Sequence, residues 1–322
     1  MPEGHSIHRL AAAFRDGFAG QRLAVTSPQG RFADGAALLD GAVLSRTQAW
    51  GKHLFLGFEH GGDEHGGTAP GAAQDIRWLH VHLGLYGAWT FAGDSEFAGP
   101  HAIGAPRVRI AEEERALSEP APSGTSGAIL EGGADREWQV PEPRGQVRVR
   151  LVGEHGVADL TGPTRCEVLD DQARHAVVGR LGPDPLLPDA DGAGEAAMVA
   201  AIRGSRTPVG VALMDQAVLA GVGNIYRAEL LFRARLHPRR PGEGIAARTL
   251  RALWRDAVRL MADGVATGRI VTTDPADREV AEDSWYVYHR DGRPCLRCGT
   301  RVQVGDLASR RVYWCPRCQR MR

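Results

Sequence analysis

Lysine is almost missing from this sequence. Of its 39 basic side chains only Lys52 is a lysine, and the other 38 are arginines. Arginine cannot supply a compact ammonium able to share or lose a proton, so any such task here falls to one residue. Apolar runs of membrane-spanning length are also missing, which excludes a transmembrane helix from the expected fold. No basic stretch followed by an apolar core opens the chain; Glu3 stands where the basic residues belong, so no secretory leader is expected and the cytoplasm is the expected compartment. Cysteines number five in 322 residues, and four of them crowd into the last 28 positions. That distribution argues against a disulfide framework and for a metal site in a reducing cell. A net charge of zero looks unfavourable for a nucleic-acid binder, but it conceals an asymmetry. From Ala200 to Arg322 there are 22 arginines against 12 acidic residues, a net +10, so the remainder carries −10.

The length suggests two domains or slightly more. Ile7, Leu10, Ala11, Phe14 and Phe18 recur at helical spacing after Gly4. A buried helix there would hold Pro2 and Glu3 in place. Short strand-like runs follow at Arg22–Thr26, Val43–Arg46, Leu54–Phe58 and Ile76–Leu83, and Gln146–Val152 alternates arginine with apolar residues. These argue for a sandwich or a barrel, and a β-sandwich with flanking helices over residues 1–180 is the expected form. Gly61–Asp75 reads as a Gly-rich loop, and 111–145 as a disordered insertion rich in Glu, Ser, Pro and Gly. Residues 181–199 have the composition of an interdomain hinge. Residues 200–290 turn helical, with one long amphipathic helix marked by Leu250, Leu253, Trp254, Ala257, Val258 and Met261. The expected fold class is therefore multidomain α+β.

Cys295, Cys298, Cys315 and Cys318 form two Cys-x2-Cys pairs, with strand-like segments between them. Four thiolates at this spacing suit a tetrahedral ion, with one structural Zn2+ preferred over rubredoxin-type iron or a redox pair. Residues 291–322 are thus expected to be a β-hairpin zinc finger. Cys166 stands apart as an ordinary half-buried thiol. In "LMDQAVLAGVGNIYRAELLFRARLHP" a helical pattern runs to Ala220, breaks at Gly221-Val222-Gly223, and restarts with Asn224 as N-cap. Such a junction offers free N–H groups to a phosphate, with Arg227, Arg233 and Arg235 adding charge. At the other end of the chain, removal of Met1 would free the secondary amine of Pro2. An α-amino group titrates near pH 8, so a sizeable fraction is an unprotonated nucleophile at neutral pH.

Taken together, "MPEG", "WGKHLF", "HLGLYG", "RLGPDPL", the "GVGN" segment and the finger ending "CPRCQ" resemble the formamidopyrimidine-DNA glycosylase and endonuclease VIII family. "GLYG" and "RRVYWCPRCQ" bring the chain nearer the bacterial endonuclease VIII branch. The resemblance implies a bifunctional DNA glycosylase/AP lyase of base excision repair, acting on damaged duplex and abasic DNA as a monomer. It implies that 200–290 form a helix–two-turn–helix domain. Pro2 matches the Schiff-base nucleophile, Glu3 the acid/base residue, and Lys52 a cation at the sugar-phosphate. Asn224 matches a phosphate contact, and Arg310 the finger arginine that grips phosphates beside the lesion, with Arg311 as its rival. Leu85 and Tyr86 occupy the intercalation loop that fills the gap left by a flipped base; the alternative is that both belong to the sandwich core.

One departure stands out. Ser6 occupies a position where many relatives carry a second glutamate, and His5 and His8 are the nearest proton carriers. Oxidised pyrimidines are the expected lesions. The rival readings are an oxidised-purine glycosylase, and a lesion-binding zinc protein without catalysis.

Overall fold

The computed structural model describes residues 2–60, 76–97, 99–104, 138–278, 280 and 283–321. Gly61–Asp75 lies outside these residues, as does the stretch expected to be inserted, up to residue 137.

Helix α1 (Gly4–Phe18) buries Ile7, Leu10, Ala11, Phe14 and Phe18 along one stripe. The stripe lies against two antiparallel sheets. One has the order β1-β7-β8-β5-β6, built from β1 (Ala24–Thr26), β5 (Ala88–Gly93), β6 (Ala102–Gly104), β7 (Val147–Val152) and β8 (Gly156–Thr161). The other has the order β2-β3-β4-β9, built from β2 (Val43–Trp50), β3 (His53–Glu59), β4 (Arg77–His82) and β9 (Arg165–Leu169). Short α2 (Ala33–Ala37) closes one edge beside β1. Inward-facing Leu54, Leu56, Leu79, Val81, Trp89, Val149, Leu151 and Leu160 join the helix stripe in one core. On β7 the alternation holds, but Arg150 is itself buried and pairs with Asp159 at 3.4 Å. The second sheet's outer face carries Phe55 and Trp78, packed near α3 (Asp171–Val178).

Beyond residue 192 come α4 (Ala193–Arg203), α5 (Val209–Ala212), α6 (Asn224–Arg233) and α7 (Ala247–Thr267). They share a second core that includes Ile202, Leu213, Val222, Leu230, Leu253 and Met261. The helical pattern expected up to Ala220 stops earlier, at Ala212. Asp215 diverts the chain by accepting from the Ala217 N–H (2.9 Å), and turns carry it to Gly221. Residues 181–192 run against both halves of the molecule: Trp50 Nε1 donates to the Gly182 carbonyl (3.0 Å), and the Ala220 N–H donates to that of Pro183 (3.0 Å).

Strands β10 (Gln303–Leu307) and β11 (Arg310–Trp314) form the C-terminal hairpin. A third core joins it to α6 through Ala228, Phe232, Tyr286, Val287, Val302 and Tyr313. Glu229 anchors that joint. Its buried carboxylate accepts from the N–H groups of Tyr286 (2.8 Å), Val287 (2.9 Å) and Tyr288 (2.9 Å) and from the Thr272 hydroxyl (2.6 Å). Among the described residues no helix is long and apolar enough to cross a membrane.

Candidate active site and nucleic-acid interface

Pro2 and Glu3 are buried where three segments meet. These are the entry to α1, the Gly51–Lys52 turn between β2 and β3, and the Gly221–Gly223 approach to α6. The Gly4 N–H donates to the Gly221 carbonyl (2.8 Å). Glu3 is 0% exposed. Its Oε2 accepts from Gly223 N–H (2.8 Å) and Tyr226 N–H (3.3 Å), and its Oε1 from Ile225 N–H (2.8 Å). The first N–H groups of a helix have no partners within it, and a carboxylate there also meets the positive end of the helix dipole. Glu3 therefore caps a helix that begins more than two hundred residues later in the chain. Gly223 is required for this fit, because a Cβ there would stand 2.5 Å from Glu3 Cδ.

This geometry corrects the reading of the turn as a phosphate seat built on free amides. Gly223, not Asn224, is the N-cap residue, and Asn224 is the first residue of α6. The amides of Gly223, Ile225 and Tyr226 belong to Glu3. The Asn224 side chain accepts from Arg227 Nη2. Of the three arginines expected around the turn, Arg227 is there but buried and bonded to Asn224, whereas Arg233 and Arg235 lie at the other end of α6.

Lys52 shares the junction. Burial pushes its pKa down, the Glu3 carboxylate pulls it back up, and the Arg310 guanidinium pushes it down again. Glu3 and Arg310, drawn from opposite ends of the chain, thus both act on the one lysine of a β-turn. The preceding Gly51 has φ +57, and a Cβ on it would lie 3.0 Å from the Gly221 nitrogen. Sequence reasoning passed over the residue that braces this turn. Asp184, buried in the 181–192 segment, accepts from Gly51 N–H (2.7 Å), His8 Nε2 (2.7 Å) and Leu186 N–H (2.9 Å). One carboxylate thus ties α1 to the Lys52 turn. Its signal was an acid between two prolines, which composition alone reads as linker.

Lys52 immediately precedes the β3–β4 pairing of His53 with His82. The loop after His82 therefore leaves the same end of the sheet. It carries Leu85 and Tyr86, which are 48% and 64% exposed. They stand on a tight turn closed by Gly87 N–H to the Leu83 carbonyl (3.0 Å), outside the sandwich core. Beside Lys52, His53 Nδ1 lies 2.8 Å from His80 Nε2, and His80 Nδ1 lies 2.9 Å from Glu167 Oε1. An ionised carboxylate only accepts, so neutral His80 donates to Glu167 and accepts from His53. Burial pushes both imidazoles down, His53 to about 3. His5 is also buried, its Nδ1 has no hydrogen-bond partner, and burial with nearby Arg9 and His8 lowers it to about 4. Burial raises the Cys166 thiol to about 12, which leaves it inert.

The finger reaches this junction through α6. Buried Arg227 donates from Nη2 to the Arg311 carbonyl (2.6 Å), fixing β11 against the helix. Ala308 and Ser309, at φ 49 and 61, form the two-residue turn before Arg310. Successive strand residues face opposite ways. Arg310 acts on Lys52 and Arg227, whereas Arg311 hydrogen-bonds Tyr313. The four Sγ atoms of Cys295, Cys298, Cys315 and Cys318 lie within 4.8 Å of one another. Two of the separations are 3.5 and 4.0 Å. They straddle the edge of about 3.8 Å that follows for a tetrahedron with zinc–sulfur bonds near 2.3 Å. The donor set fits such an ion.

The family described as Formamidopyrimidine-DNA glycosylase H2TH domain matches residues 181–276. Endonuclease 8 1 of Mycobacterium tuberculosis is 42% identical over 326 residues, spanning 99% of this chain and 100% of that relative. Formamidopyrimidine-DNA glycosylase of Laribacter hongkongensis is 28% identical over 330 residues, with the same coverage. Among solved structures, MutM (Fpg) from Thermus thermophilus superposes with a TM-score of 0.64 at 24% identity, covering 100% of both chains. Lactococcus lactis Fpg in complex with abasic-site DNA gives 0.67 at 17% identity, covering 99% of both.

Proposed function

Since the chain belongs to the formamidopyrimidine-DNA glycosylase and endonuclease VIII family, we propose that it is a bifunctional DNA glycosylase/AP lyase, with Pro2 as nucleophile. The observation that carries this reading is the buried Pro2–Glu3 pair, joined to both halves of the molecule and acting electrostatically on Lys52. With Met1 removed, the lone pair of the Pro2 nitrogen attacks C1′ of the damaged nucleotide. The N–C1′ bond forms, the glycosidic bond breaks, and the base leaves with its electron pair and collects a proton. Opening of the sugar leaves an iminium on Pro2. Loss of a C2′ proton then expels the 3′ phosphate, and a second elimination expels the 5′ phosphate.

Glu3 moves the proton at the sugar oxygen. A carboxylate offers about four lone-pair sites; three are taken by the α6 amides, so the free one is on Oε1. Lys52 neutralises charge at the sugar-phosphate. Arg310 grips the flanking phosphates and Asn224 contributes a further contact, while the engagement of Arg311 with Tyr313 favours Arg310 for the grip. Leu85 and Tyr86 fill the gap left by the flipped base, which their exposure supports. The four cysteines hold one structural zinc, which supplies folding energy to the finger and takes no part in the chemistry.

We assign residues 1–180 to the catalytic unit, 181–199 to the connection, 200–290 to the helix–two-turn–helix unit and 291–322 to the finger. The protein acts as a monomer. Oxidised pyrimidines are the proposed lesions, because the Endonuclease 8 1 relative is more similar than the full-length formamidopyrimidine one.

Borohydride trapping on abasic duplex tests the assignment. A covalent adduct on an N-terminal peptide that starts at Pro2 is expected, lost when a residue is retained ahead of Pro2. An adduct on Lys52 would overturn the nucleophile, and no adduct would leave only lesion binding.

A further inference from the structure

The C-terminal end of α6 opens into a cleft of about 730 Å³ that has no part in the reaction above. Six arginines line it: Arg233, Arg235, Arg248, Arg255, Arg259 and Arg297; Asp256 is its one acidic residue. Asp256 is already engaged by Arg233 and Arg259. Arg235, Arg248 and Arg255 are exposed and have no hydrogen-bond or acidic partner among the described residues. Like charges gathered in a concavity repel one another and focus a positive potential on whatever enters it. We propose that this cleft is a second nucleic-acid site, which holds a phosphodiester backbone apart from the nucleotide at Pro2.

Three observations define the ligand. Arg248 and Arg255, the unpartnered pair on α7, stand about 10 Å apart along the helix at 1.5 Å per residue. A single phosphate is too small to satisfy them, whereas a polymer of phosphates is not. The floor is Ala234, Ala252 and Leu253, and no aromatic residue lines the cleft. It therefore offers neither a stacking platform for bases nor the large apolar anchor typical of a protein interface. What remains is the guanidinium fork, which matches phosphate oxygens two at a time.

Arg235 supplies the third observation. It closes α6 in the left-handed region, at φ 54. Glycine takes that conformation at less cost than any residue with a Cβ. Keeping an arginine there sacrifices stability for a charge, a pattern that points to function. At 1.5 Å per residue, the ten residues of α6 separate this end from the Glu3 cap by about 15 Å. The cleft and the proposed catalytic junction thus sit at opposite ends of one helix, so a backbone held here is gripped separately from the nucleotide at Pro2.

Titration with undamaged duplex across a salt series tests the proposal in the full chain. Each lost phosphate contact lowers the salt slope by about one unit, so Arg235→Ala/Arg248→Ala/Arg255→Ala should lower it by about three. Nicking of a short, saturating abasic duplex should be unchanged in that variant. Arg235→Gly alone should lower the slope by about one unit while raising the melting temperature, which separates lost contact from lost structure. A slope equal to the parent's in the triple variant would overturn the proposal. So would an unchanged slope together with weakened binding of poly-glutamate, which would make the cleft a site for acidic protein. Inorganic phosphate competing at the concentration of phosphate groups in the duplex would reduce it to a small-anion site and refute the polymer.

Discussion

Replacing Glu3 by glutamine separates two jobs that the structure loads onto one carboxylate. Both oxygens of Glu3 are in use, one by Ile225 N–H and the other by Gly223 and Tyr226 N–H. A glutamine amide keeps a single acceptor oxygen. In its better orientation that oxygen serves Gly223 and Tyr226, and the NH2 group then faces the Ile225 N–H donor to donor. One buried donor left without a partner costs roughly 1–3 kcal/mol. Losing the negative charge at the positive end of α6 costs about 0.3–2 kcal/mol more. The expected destabilisation of Glu3→Gln is therefore about 2–4 kcal/mol, combining those two costs. At about 2–4 °C per kcal/mol for units of this size, its melting temperature should fall by roughly 5–15 °C. Borohydride trapping at a temperature where both proteins are folded reads the chemical role separately. A variant that melts with the parent would refute the capping argument, whatever happens to its activity.

Four further outcomes follow from the same geometry. Cys298→Ser should lose bound metal and duplex affinity together, by metal analysis and fluorescence anisotropy; full metal content with unchanged binding defeats the finger assignment. Leu85→Ala and Tyr86→Ala should slow excision from duplex while sparing a single-stranded abasic substrate, because only the duplex must be unstacked; equal losses on both would indicate a packing role. Asp184→Asn should lower the urea midpoint by the equivalent of roughly 1–3 kcal/mol for one lost buried bond. It should also slow nicking at saturating substrate, since the Lys52 turn loses its brace; normal nicking would restrict Asp184 to stability. The folded-state pKa values of His5 (about 4) and His53 (about 3) lie below the ordinary 6.5. As pH falls from about 6.5 towards these values, the unfolded chain takes up protons that the folded one refuses, so stability should fall across that window. A melting temperature that stays flat between pH 7 and pH 4 contradicts their burial as neutral rings.

Much of this protein was legible in its residues because the information is local. Short strand-like runs gave most of the sandwich strands, the 3.6-residue stripe gave α1 and α7, and the Cys-x2-Cys spacing gave the four-cysteine hairpin. The surviving Lys52 and the Pro2–Glu3 pair were identifiable for the same reason: each is conspicuous by type or position. What only the folded chain decided are the bonds between segments far apart in sequence. A capping side chain is normally sought next to its helix, so nothing near Asn224 could reveal that Glu3 occupies the α6 amides. Asp184 looked like linker because two of its three partners, His8 and Gly51, lie on segments far from it in the sequence. The charge of Arg227, Arg233 and Arg235 was visible, but the winding of α6 buried the first and carried the other two to the end away from Glu3. Composition records how many charges a chain has, and tertiary structure determines which of them face one another.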